Sequence, residues 1–84
     1  MSETANRSVT KLAYRIFRDG ALLHTGAFAD EGQHNVTVAK LLKREHRLAN
    51  GDVISLDCGG YALCYQVDAL GAQACARPEY VNVL

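Results

Sequence analysis

Three histidines, three cysteines and one carboxylate set among apolar helix positions are the residues of this 84-residue chain whose types could do chemistry. His24, His34 and His46 fall on different expected elements and make no helical H-x-x-x-H or E-x-x-H pair, so no metal site is expected from them. Cys58, Cys64 and Cys75 are an odd number without C-x-x-C spacing, which argues against a disulfide framework and a zinc ribbon. They read as reduced thiols. A nucleophilic cysteine would need a base within reach, and His24 meets Cys64 only if the two hairpins below lie side by side. No serine sits in a G-x-S-x-G elbow. The expectation is no catalytic residue, no metal and no cofactor.

The elements that would position these groups follow from periodicity. Val9 to Arg18 alternates, with Leu12, Tyr14 and Ile16 on one side, and Asp19-Gly20 is a strong two-residue hairpin signal. A return strand over Ala21 to Phe28 would pair Phe17 with Leu22, Ile16 with Leu23, Arg15 with His24 and Tyr14 with Thr25. That register puts Leu23, Thr25 and Ala27 on the core face. Asn35 or Thr37 caps a helix that runs to Leu48 or Ala49 and stops at Asn50-Gly51. Val38, Leu41, Leu42, Leu48 and Ala49 form its apolar stripe, with Glu45 near the middle. Such a carboxylate is either buried with a raised pKa or, more often, placed in a fraying last turn or reaching a cation at the helix margin. Asp52 to Cys58 and Tyr61 to Val67 form a second hairpin around Gly59-Gly60, and Ile54, Leu56, Cys58, Tyr61, Leu63 and Tyr65 share a face. Beyond it, Ala69-Leu70-Gly71 suits a turn, Gln73 to Ala76 a short strand, and Tyr80 to Leu84 a last strand.

The fold class expected is α+β: a four- or five-stranded antiparallel sheet of two hairpins plus a C-terminal strand, with one helix on one face, in the order ββαββ(β). Residues 1–7 are expected as a disordered tail, and 8–84 as one domain. The hairpin, helix and strand order, with Thr37-Val38-Ala39-Lys40-Leu41-Leu42 opening the helix and Gly51-Asp52-Val53-Ile54 the next strand, resembles the β-grasp fold of ubiquitin-like and sulfur-carrier proteins. Carrier chemistry needs a C-terminal Gly-Gly. Here Gly59-Gly60 is internal and the sequence ends Asn82-Val83-Leu84, so the resemblance implies the layering, and carrier activity is not expected.

Two surfaces are candidates for binding. The sheet face away from the helix would carry Arg15, Phe17, Leu22, His24 and Phe28, with Lys11 beside them and Val53, Ser55, Asp57, Ala62 and Cys64 from the second hairpin. Interleaved aromatic and cationic side chains suit base stacking or a protein partner, unless the chain or a second copy covers them. The helix would carry Lys40, Lys43, Arg44 and Arg47 at i, i+3, i+4 and i+7, where they could meet phosphates or an acidic protein, or simply be solvated.

Nine Lys+Arg balance nine Asp+Glu, but eight of the cations and five of the carboxylates precede Gly51. The neutral sum removes bulk attraction to nucleic acid or membrane and leaves directed attraction open. No apolar run approaches the roughly 20 residues of a membrane span. The functional expectation is a small non-enzymatic, cytoplasmic protein-binding module. An inhibitor of the phage or mobile-element type that blocks a bacterial defence complex is one form of it, and a homodimer another. The alternative is a nucleic-acid-binding domain that uses the basic helix face.

Overall fold

Asp19 and Gly20 both take positive φ, 53° and 82°, the backbone that a tight two-residue hairpin requires. They join β1 (Lys11–Arg18) to β2 (Ala21–Ala29). The chain continues through α1 (Asn35–His46), β3 (Val53–Asp57), β4 (Ala62–Asp68) and β5 (Gly71–Cys75). This computed structural model describes residues 11–29, 32–58 and 61–75. The tail expected over residues 1–7 and the last strand expected over 80–84 lie outside them. All strand pairs are antiparallel, in the order β2-β1-β3-β4-β5. The expected α+β class is therefore the observed one, as ββαβββ.

The first hairpin departs from its expected register. Phe17 faces Leu22 as expected, but Ile16 pairs with His24, Arg15 with Thr25, and Tyr14 with Gly26. A bulge at Leu23 is the cause, since one extra residue on β2 shifts every later pair by one and exchanges the faces of its side chains. Gly26 then lies under the Tyr14 ring: a Cβ there would stand 2.6 Å from the Tyr14 hydroxyl oxygen. The helix also ends earlier than Asn50-Gly51 would place it. Arg47 adopts the left-handed conformation, with Arg47 N–H bonded to Arg44 O at 3.4 Å and Leu48 N–H to Lys43 O at 3.0 Å. This Schellman turn frees Leu48 to enter the core. Its start is not side-chain capped, because His34 occupies the cap position without such a bond.

One face of the sheet and α1 enclose the main core of Leu12, Tyr14, Ile16, Val38, Leu42, Ile54, Leu56, Tyr65 and Val67. On the opposite face Phe17, Val53 and Cys64 form a second buried cluster, with Cys75 packed against it. The central strand β3 is consequently buried on both sides, from Val53 to Leu56.

Asp52 fastens the entry to that strand. Its carboxylate, only 2% exposed, accepts Arg18 Nε at 2.9 Å and Nη2 at 2.8 Å, and also the Ala49 N–H at 2.9 Å. Its backbone donates to Ala49 O and accepts from Val67 N–H. Arg18 hydrogen bonding, reinforced by the Ala49 N–H, holds the carboxyl below its ordinary pKa against the opposing effect of burial. Asp52→Asn leaves an amide nitrogen facing donors and should cost about 1–3 kcal/mol in urea denaturation. A carboxyl with a depressed folded-state pKa stabilises fully above its unfolded value and loses that contribution as pH falls through the folded value. The wild-type advantage over Asp52→Asn should accordingly shrink as the solution is taken below about pH 4.

Candidate functional site

The basic residues of α1 lie beside the β4–β5 turn. Lys40 and Arg44 are exposed, whereas Lys43 is half-buried and its Nζ donates to Asp68 O at 2.7 Å. The Asp68 carboxylate in turn accepts the Leu70 N–H at 2.9 Å. Helix and turn are thus tied by a charge-assisted bond, and the turn is closed by an Asx-type bond. The Lys40 stem lies over Gly71, where a Cβ would come within 2.9 Å of Lys40 Cε. Gly71 has φ of 136°, which an L side chain rarely adopts.

These residues form a concavity of about 310 Å³ lined by Lys40, Lys43, Arg44, Ala69, Leu70 and Gly71. Leu70 stands at its edge, 92% exposed. Arg47, the fourth expected cation, is exposed at the left-handed helix terminus and does not line it. The last helical turn carries Lys43, Arg44 and His46, where positive charge also favours the helix dipole. The cationic half of this surface follows from spacing alone. Leu70 carried a weaker signal, an apolar residue in a short turn, and its position beside the helix depends on sheet order.

The expected sheet face does not assemble as one surface. Phe17 is 3% exposed, inside the second cluster. Leu22, opposite it, is exposed, and Arg15 is half-buried. His24 and Phe28 lie on the other side, because the bulge pairs them with Ile16 and Leu12. Phe28 packs against the main core and lines a second cleft, of about 390 Å³, with Tyr14, Leu41, Gln33 and Glu45. Of the second-hairpin residues expected there, Val53, Ser55 and Cys64 are buried, and Asp57 and Ala62 are half-buried.

His24 stacks on His46, with ring centroids 4.5 Å apart, and Tyr14 Oη lies 3.1 Å from His46 Nε2. Sequence spacing gives no sign of this contact between β2 and the helix end. Burial raises the Tyr14 pKa, and the charge of Glu45 adds to the effect. Glu45 itself is exposed at the second cleft, in the last helical turn, so of the placements open to it in the sequence the buried one is not taken. His34 is exposed at the helix start. The described residues contain no group of three or more His, Cys, Asp or Glu placed to hold a metal ion. His24 and Cys64 occupy opposite faces of the sheet, which removes the thiol and imidazole pair. None of the described helices is long and apolar enough to cross a membrane.

Comparison with protein-family models, curated proteins and solved structures finds no match to this chain. The site therefore stands on its own geometry. The Tyr14 contact gives a direct test of the β1–β2 register: Gly26→Ala should destabilise the fold by about 1–3 kcal/mol through overpacking, measured by urea denaturation. Ala at Gly20, where an added Cβ meets nothing within 4 Å, should show only the strain of positive φ.

Proposed function

We propose that this chain is a non-enzymatic protein-docking module whose contact surface is the Lys40, Lys43 and Arg44 face together with the Leu70 turn. The observation that carries the reading is the 92% exposure of Leu70 beside three cations on one anchored concavity. A single exposed leucine is ordinary on a protein surface. This one sits on a two-residue turn that Asp68 and Lys43 hold in place, so little ordering entropy opposes its use in binding. The complementary partner is a protein surface with an apolar hollow rimmed by carboxylates. Cations would steer the encounter and leucine burial would add affinity. An inhibitor that acts by covering a working surface, such as one directed at a bacterial defence complex, needs no chemistry beyond this.

The nucleic-acid alternative draws on the same cations. It lacks the stacking platform expected of it, because Phe17 is buried and Phe28 faces the core. The two readings separate in an affinity capture from host lysate, with and without nuclease. The docking reading expects one protein to be retained after nuclease treatment. Its capture should fall at least tenfold, about 1.4 kcal/mol, with Leu70→Asp and with Lys40→Glu/Arg44→Glu, and stay unchanged with the control Leu22→Asp. Circular dichroism should show that each variant is folded. Loss of all binding after nuclease treatment, together with steep salt dependence, would replace docking by phosphate contacts. Capture insensitive to both sets of substitutions would move the contact surface elsewhere.

A further inference from the structure

We propose that Cys64 and Cys75 form a thiol–disulfide site that is oxidised by a small disulfide of the glutathione class. The two are direct partners across β4 and β5. The Ala69-Leu70 turn fixes the pairing, since Asp68 faces Gly71, Val67 faces Ala72, Gln66 faces Gln73, and Cys64 faces Cys75. Residues directly opposite in an antiparallel pair project from the same face with Cα atoms about 4.5–5.5 Å apart. That separation lies within the range disulfides use. Both side chains join the cluster of Phe17 and Val53 on the sheet face away from α1. Cys58 belongs to the other side, where it packs against the main core and its Sγ lies 3.7 Å from Leu56 O. All three cysteines are thiols in this structure.

Exposure sets the order of events. Cys75, half-buried on β5, an edge strand of the described sheet, is the more accessible thiol, and Cys64 is 6% exposed. The Cys75 thiolate attacks one sulfur of the small disulfide, forming a mixed disulfide and expelling one small thiol, which takes up the proton. Cys64 then loses its proton, attacks the Cys75 sulfur and expels the second small thiol. The two cysteines lose two electrons and two protons, and the reagent gains them as two thiols. Ser55 is the register neighbour of Cys64 on β3, and its hydroxyl is buried without a hydrogen-bond partner in the structure. The bond would join β5 to β4 at the end of the hairpin away from Leu70. The site does not depend on the docking reading.

The test uses the full chain equilibrated in buffers of graded oxidised-to-reduced glutathione ratio, then acid-quenched, denatured and alkylated. Under oxidising ratios two thiols should resist alkylation, the intact mass should fall by two hydrogens, and peptide mapping should join Cys64 to Cys75. The thermal midpoint should rise. Cys58→Ser should keep the bond. Cys75→Ser, at the half-buried position and checked for folding by circular dichroism, should lose it. Alkylation of all three thiols at every ratio overturns the proposal. So does a glutathione adduct without an internal bond, or a bond that includes Cys58.

Discussion

A carboxylate removed from water needs donors, and Asp52 obtains them from two separate stretches of the chain while its backbone carbonyl accepts from a third. Arg18 closes β1, Ala49 lies beyond the helix, and the Asp52 backbone pairs with Val67 on β4. One residue thus ties together the end of β1, the chain leaving α1 and the start of β3. The pair's strength does not come from Coulomb attraction alone, because Arg18 is open to solvent and its charge is screened. Satisfying the buried oxygens is the stronger constraint. With the entry to β3 fixed, Ile54 and Leu56 face α1 while Val53 and Ser55 face the second cluster. The alternation that fills both sides of the sheet begins at Asp52.

The docking surface depends on that arrangement indirectly. Helix α1 packs on β4 and β5, which brings Lys43 to the Asp68 carbonyl and places the Leu70 turn against the basic face. Anchoring costs the surface part of one cation's freedom, since Lys43 is engaged with the turn. Lys40 and Arg44 remain the more exposed charges. The chain is neutral as a whole, and its clearest cationic group is concentrated at this one junction.

Much of the fold was legible in local signals, because Asp19-Gly20, the helix stripe and the alternation of β3 and β4 each carry their own physics. The paired faces of Ile54 with Tyr65 and Leu56 with Leu63 follow directly from that alternation. The failures come from single residues that reset a register. Leu23 bulges, and His24 and Phe28 change sides; Arg47 adopts a left-handed backbone, and the helix stops before Asn50-Gly51. Neither event is marked by glycine or proline, the residues that usually signal it. The site divides in the same way. Lys40, Lys43, Arg44 and Arg47 were visible as a helical pattern, while their junction with Leu70 and the stacking of His24 on His46 exist only once the strands are ordered.

The same bulge bears on how the molecule tolerates crowding. Strand β2 is an edge of the described sheet, and its nine residues, Ala-Leu-Leu-His-Thr-Gly-Ala-Phe-Ala, include no Lys, Arg, Asp, Glu or Pro. Those are the residues with which natural edges discourage a further strand from adding on. What β2 has instead is a bulge near its start, which disturbs a flat hydrogen-bonding edge. An irregularity that looks like a defect in the hairpin thereby guards the molecule against cross-β growth, a protection in shape where others use charge.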